Sequence, residues 1–261
     1  LHLSIRRQRQ MCIRDRCTRC GIDANRWSNR VSILTSVPDL RDKDAQKLKV
    51  PPEAQVVMAT GNAHKVREVE EILRPLVPSL HPGGIVASGT LGAPEPREDG
   101  TSFSANALIK ARALASLVDV PILADDSGLS VDILGGAPGI FSARWCGHHG
   151  DDRANLELLL NQLQDIDDGY RTAAFICAAV LLVPGGGTYL GNGVMGGRLV
   201  REPNGKNGFG YDPIFMADGQ DVTNGELSQE TKNTISHRAK AFIQIAPQLE
   251  AILGVRTRIT L

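Results

Sequence analysis

From residue 55 onward, the apolar positions switch between two rhythms. Gln55–Thr60 (QVVMAT) is a short, β-branched apolar run and reads as a buried strand. After GNAHK, Val66, Val69, Ile72 and Leu73 recur at helical spacing until Pro75 stops them. A Pro- and Gly-rich loop covers 82–100. Ser102–Val118 is rich in helix formers and keeps an apolar face through Phe103, Ala107, Ala111 and Leu114. Pro121–Leu134 (PILADDSGLSVDIL) reads as two short strands around an acidic turn. Asp151–Leu163 reads as a helix whose first-turn Asp151 and Asp152 suit the positive end of the dipole. Arg171–Val183 is a long apolar run expected to be a strand, and PGGG turns it into a hairpin partner, Thr188–Val200. Asn204–Phe215 is a Gly-rich loop leading to another strand, and Glu226–Leu253 is mostly helical in pattern. Helices and strands alternate, with at least one long hairpin and no internal repeat. The fold class expected is therefore α/β with a mixed sheet flanked by helices.

The first 54 residues behave differently. They hold 12 Lys+Arg against 6 Asp+Glu, while the remainder holds 17 against 23, so a chain of zero formal net charge is basic at one end and acidic in its body. Six Arg and three Cys crowd the first 20 residues, no apolar period is sustained, and Arg41–Lys49 is a solvated charge run. Residues 1–54 are expected to be a poorly ordered basic extension, a tail or an artefact of gene calling, set aside in reasoning about the fold. Residues 55–261 are expected to be the functional domain. Cys12, Cys17 and Cys20 match part of a plant-type iron–sulfur spacing. The fourth ligand would be Cys146 or Cys177, neither within a cluster-binding loop, and a solvated tail is the preferred reading. The same arm offers an electrostatic route to nucleic acid. Aromatics at 4% argue against a base-stacking nucleic-acid platform. No apolar run reaches 18 residues, the start has no secretory apolar region, and five Cys do not make a disulfide scaffold. A cytoplasmic protein without membrane partners is expected.

Several segments carry candidate chemistry. Thr60-Gly61-Asn62-Ala63-His64-Lys65 joins a strand to a helix N-terminus, where free N–H groups and the dipole favour a phosphate and Lys65 adds a charge. It is not a Walker A loop. Asp125 and Asp126 are adjacent carboxylates that a hard cation such as Mg²⁺ would relieve of their repulsion, leaving one to take a proton from water. Strand alternation points them to opposite sides, so one of them faces the site. Glu98 offers a second metal carboxylate, and Asn106 and Lys110 share one helix face at i, i+4. Gly208-Phe209-Gly210-Tyr211-Asp212 flanks an aromatic with two glycines, a layout suited to presenting a flat surface to a base. Lys232, Ser236, His237 and Arg238 form a second cationic cluster suited to phosphate or a carbonyl oxygen. Each segment alone also fits an ordinary turn or solvated patch. Together they point to a nucleoside triphosphate brought in with Mg²⁺.

TGNAHKVREVEEIL, EDGTSFSANALIKA, LADDSGLSVDILGGAPGIFSARW, NGFGYDPIF and ELSQETKNTISHRAKAF stand in the order seen in the inosine triphosphate pyrophosphatase family, which this chain resembles over about residues 55–254. The resemblance implies an elongated α/β fold with two lobes and a central cleft, usually a homodimer. It implies Mg²⁺-dependent hydrolysis of deaminated purine triphosphates (ITP, dITP, XTP) to the monophosphate and pyrophosphate. By motif position, Thr60 to Lys65 would hold the phosphates. Asp126 would be proton acceptor and metal ligand, with Glu98 a further metal ligand. Ser127, Phe209, Gly210, Tyr211, Asp212, Lys232, His237 and Arg238 would bind the nucleotide, with Lys110 and Arg144 as weaker carry-overs. Ala239 stands where the family usually has Gly, Lys206-Asn207 precede GFGYD in place of a commoner Gly, and Arg97 replaces an acid of many members. The nearest alternative enzyme is a Maf-like nucleotide pyrophosphatase, against which SHR and GFGYD argue.

Overall fold

Residues 122–131, expected as two short strands around an acidic turn, form one unbroken strand in the computed structural model, which describes residues 32–34 and 47–259. We label the strands β1 (Ser32–Leu34), β2 (Val56–Met58), β3 (Ile85–Ala87), β4 (Ile122–Val131), β5 (Thr172–Leu182), β6 (Thr188–Leu199) and β7 (Phe215–Ala217). The helices are α1 (Ala63–Leu73), α2 (Phe103–Ala115), α3 (Asp152–Gln162), α4 (Gln229–Ile235) and α5 (His237–Ile259). β4 stays extended because β5 pairs with it residue for residue, from Ile122↔Leu182 to Val131↔Ala173. The DDSG turn signal loses to that ladder, and the acidic side chains find ion pairs instead of solvent. Cys12, Cys17, Cys20 and most of the basic extension lie outside the described residues.

The sheet runs β1-β6-β5-β4-β2-β3, with β7 also on β6. β2 is parallel to both β3 and β4, and the remaining pairs are antiparallel, so the sheet is mixed as expected. β2 pairs with β4 only at Val57↔Ile122 and Met58↔Leu123. Beyond Met58 the chain leaves the sheet while β4 continues. The crevice outside the carboxyl end of a parallel strand is the usual ligand position in such sheets, and here it lies beside Asp125 and Asp126.

Helices cover both faces. Val66, Val69, Ile72 and Leu73 of α1 pack with Phe242, Ile245 and Leu249 of α5 over Leu123, Ala179 and Leu181. On the other face, Ala107, Ala111 and Leu114 of α2 pack on Val57, Ile122, Ala124 and Val180. A third cluster joins α3 (Leu156, Leu159) to the far halves of β4–β6 and to β7. α5 can lie directly on β6 because Gly191 and Gly193 have no side chains; a Cβ at either would overlap the carbonyl of Ala241 or His237. Ala239, at the position where a Gly is usual, is buried in the α1–α5 cluster. Parts of the expected extension touch this body. β1 pairs with Thr188–Leu190, Leu48 N–H donates to Leu117 O at 2.9 Å, and Leu48 and Val50 pack beside α2. Among the described residues, no helix is long and apolar enough to cross a membrane.

Candidate active site on the two faces of β4

The α2 face carries Asp126. Its Oδ2 accepts Asn106 Nδ2 at 3.1 Å and its Oδ1 accepts Lys110 Nζ at 3.2 Å. The i, i+4 spacing of Asn106 and Lys110 brings both to one carboxylate. Lys110 Nζ also lies 3.2 Å from Glu98 Oε1, so two carboxylate oxygens converge on one positive charge. Burial pushes the Asp126 carboxyl up from the ordinary range; Lys110 opposes this and Glu98 adds to it. Lys110 is raised: burial alone would lower it, but Asp126, Asp125 and Glu98 together outweigh that.

The donor set here consists of hard carboxylate oxygens, Asp126 Oδ1 and Glu98 Oε1, which both lie 3.2 Å from Lys110 Nζ. That suits Mg²⁺, which keeps several waters and is held by one or two carboxylates plus substrate phosphates. Asp126 and Glu98 would hold it.

Asp125 points to the α1/α5 face and is sealed. Its side chain is 0% exposed, against 12% for Asp126. Lys65 Nζ lies 3.0 Å from Oδ1, and Arg238 Nε lies 3.4 Å from Oδ2. Burial alone would raise this carboxyl, but Lys65, Arg238 and Lys110 hold it well below the usual carboxylate range. Arg238 donates further to Glu68 Oε2 at 2.7 Å and to Ser127 Oγ at 3.2 Å. Glu68 was not singled out from sequence, and Asp125 entered only as the member of the acidic pair expected to face away from the site if Asp126 faces it. Glu68 lies one turn beyond Lys65 and one turn before Ile72 on the buried face of α1, and that acidic interruption of an apolar stripe was the available signal.

The Thr60–Lys65 loop leads from β2 into α1. Its N–H groups were expected to be free. Instead Asn62 Oδ1 accepts from His64 N (2.9 Å) and Lys65 N (3.3 Å), an N-cap that takes up two of them. Thr60, Gly61, Asn62 and Lys65 line a groove of about 600 Å³ with Glu98 and Lys110. Glu95, also unforeseen, lines it too and sits over Gly61. Arg144 stays at its rim: Nη1 is 3.2 Å from Nε2 of the groove-lining His149, and the guanidinium lies over Phe141. Ala63 is exposed and lines no cavity described here.

The Phe209 ring is 45% exposed, with Lys232 Nζ 5.3 Å and the Arg238 guanidinium 5.7 Å from its centroid. Phe209, Gly210, Tyr211, Asp212, Ser127, Lys232, His237 and Arg238 all border one small cavity of about 100 Å³. A neighbouring cavity of about 400 Å³ joins Phe209 and Lys232 to Asn62 and His64. Some of these residues also hold the site together. Buried Asp212 accepts from Lys232 Nζ (2.6 Å), Phe209 N (2.9 Å) and Asn224 Nδ2 (3.2 Å), and Tyr211 Oη donates to Ser142 O. His237 stacks on Phe175, with ring centroids 4.9 Å apart. Burial, then Arg238 and Lys232, keep its pKa well below the usual value, so the imidazole is neutral, and Nδ1 has no partner among the described residues.

Comparisons with known proteins identify the family. The profile of the Ham1 family matches residues 56–248. A dITP/XTP pyrophosphatase of Leifsonia xyli subsp. xyli is 52% identical over 198 residues, covering 76% of this chain and 96% of that protein. One from Streptomyces avermitilis is 49% identical, covering 77% and 99%. The structure of a HAM1 protein from Coxiella burnetii superposes with a TM-score of 0.65 at 38% identity, over 75% of this chain and 98% of that one. A structure named as a nucleoside-triphosphatase, dITP/XTP pyrophosphatase, from Mycobacterium abscessus gives 0.57 at 43% identity, over 70% and 94%. With most of its length matched by that profile and by relatives near half identity, this chain belongs to the Ham1 family.

Proposed function

We propose that this protein hydrolyses deaminated purine nucleoside triphosphates (dITP, ITP, XTP and dXTP) to the monophosphate and pyrophosphate, with Mg²⁺, as a cytoplasmic homodimer that cleanses the nucleotide pool. Its partner is a small nucleotide rather than nucleic acid or a membrane. The observation that carries the reading is that Lys110 and Glu98 line one groove with Thr60, Gly61, Asn62 and Lys65, and that Lys110 Nζ there holds Asp126 Oδ1 at 3.2 Å. The Phe209 platform, with Lys232 and Arg238 beside it, adds a base-sized surface. The names of the relatives, dITP/XTP pyrophosphatases, point the same way.

When bound, Mg²⁺ at Asp126 and Glu98 would supply Lewis-acid neutralisation of phosphate charge. The chain's own residues do the rest. Lys65 and Lys110 face the triphosphate oxygens. Asp126, made a better base by burial, takes a proton from the attacking water. Water oxygen bonds to the α-phosphorus, the bond from that phosphorus to the bridging oxygen breaks, and pyrophosphate leaves. Preorganised charge supplies most of the acceleration. At the base, Arg238 donors and the neutral His237 suit a 6-keto oxygen, and adenine's amino group would leave a donor unpaired.

The test is one assay. Incubation with dITP, XTP, dGTP and dATP, with Mg²⁺ or EDTA, should give pyrophosphate from the first two and nothing in EDTA. Orthophosphate as product, or equal rates on all four substrates, refutes the reading.

A further inference from the structure

Helix α3 opens with two aspartates that divide two tasks. Asp151 caps the helix: its Oδ1 accepts Ala154 N at 2.9 Å. Asp152 is therefore not needed for the cap. Its Oδ2 instead accepts the N–H of Gly210 at 2.9 Å, across 58 residues of sequence. Gly210 and Gly208 sit at φ +61° and +75°, conformations that side chains disfavour. The loop thus carries Phe209 between two glycines and owes its shape to what grips its backbone. Two carboxylates do so. Asp212, within the loop, takes Phe209 N, and Asp152 takes Gly210 N from outside it. The outside grip comes from a helix anchored by buried Leu156 and Leu159. Asp152 also borders the small cavity shared by Phe209, His237 and Arg238.

We propose that Asp152 is a positioning residue that holds the Phe209 ring in place as a base platform through the Gly210 N–H. This rests on the nucleotide reading above. The hydrogen bond needs an acceptor rather than a charge, so an amide oxygen can replace the carboxylate, whereas a methyl group cannot.

The experiment uses the full chain and the variants Asp152→Ala and Asp152→Asn. Steady-state kinetics with dITP are combined with calorimetric binding of inosine monophosphate and of inorganic tripolyphosphate, and with amide exchange over residues 207–212. In Asp152→Ala, KM for dITP and Kd for inosine monophosphate should rise about tenfold, about 1.4 kcal/mol. In the same variant kcat should stay within about threefold, tripolyphosphate binding should be unchanged, and exchange at the loop should quicken. Asp152→Asn should restore all of these to near wild type. Unaltered KM and monophosphate affinity in Asp152→Ala overturns the inference, as does an equal loss of tripolyphosphate binding or an Asp152→Asn as impaired as Asp152→Ala. Wild-type protein that binds neither inosine monophosphate nor dITP overturns the nucleotide reading itself, and this inference with it.

Discussion

Asp125 and Asp126 are the same residue type, one peptide bond apart on one strand, and the sheet makes them opposites. Asp125 faces α1 and α5, wholly buried between Lys65 and Arg238, and is locked in its ionised form. Asp126 faces α2, largely buried but with its side chain 12% exposed, held by the groove-lining Lys110 next to a second carboxylate, with its pKa raised. Strand alternation turns adjacent side chains to different solvents. A carboxylate whose pKa is raised by burial is suited to proton transfer, and one held ionised in a salt-bridge network is suited to architecture. On the proposed function, the pair separates chemistry from scaffolding within two residues.

The sharpest way to break this contrast is Asp126→Asn. Turnover should fall by at least about two orders of magnitude, with nucleotide affinity within a few-fold of wild type. Wild-type kinetics would strip Asp126 of its role. Asp125→Asn should show the reverse emphasis, leaving the buried Arg238, and Lys65 at the edge of the groove, without their partner. Breaking a buried pair from one side costs on the order of 3 kcal/mol, read by urea or thermal unfolding at pH 7. An Asp125→Asn protein as stable as wild type would mean the network is not structural.

Lys110→Met tests the open face. It removes one cation from two carboxylates that retain some solvent access, so it should cost less stability than Asp125→Asn. Its kcat/KM should nevertheless fall about tenfold (about 1.4 kcal/mol of transition-state stabilisation). A stability loss equal to that of Asp125→Asn would erase the distinction between the faces.

The finest comparison is pH dependence in EDTA. The lowered pKa of Asp125 means its stabilisation is present above the unfolded value of about 3.9 and is lost as pH falls through the folded one. The gap between wild type and Asp125→Asn should narrow below about pH 4. The raised pKa of Asp126 has the opposite sign. Its neutral form is favoured in the folded protein, and that advantage is lost as pH rises through the folded value. Asp126→Asn should match wild type in acid and be slightly the more stable near pH 7. Parallel unfolding curves for the two variants would contradict the assigned environments.

The sequence carried whatever local periodicity or spacing can express. The strand–loop–helix opening, the apolar faces of α1 and α2, and the β5–β6 hairpin are visible as repeats of hydrophobic positions. The meeting of Asn106 and Lys110 follows from their i, i+4 spacing. The unbroken course of β4 is hidden because β5, whose ladder holds it extended, is remote in sequence while the turn-like DDSG is local. Glu68 was missed for the same reason, since its partner Arg238 lies 170 residues away. Asp152 looked like an ordinary dipole residue, and only the fold brings Gly210 to it. The long C-terminal helical stretch divides at Ser236, whose backbone is extended (φ −65°, ψ 151°). No glycine or proline announces that break.

The bare backbone of β6 has one more implication. At Gly193 the strand touches the carbonyl of His237, the first residue of α5. The spacing between sheet and helix therefore works as a gauge, setting how deep His237 and Arg238 reach toward the Phe209 ring. One methyl group added there would press on the His237 carbonyl and lift the first turn of α5; on the proposed nucleotide reading, selectivity between purines would drift while the phosphate end kept its grip.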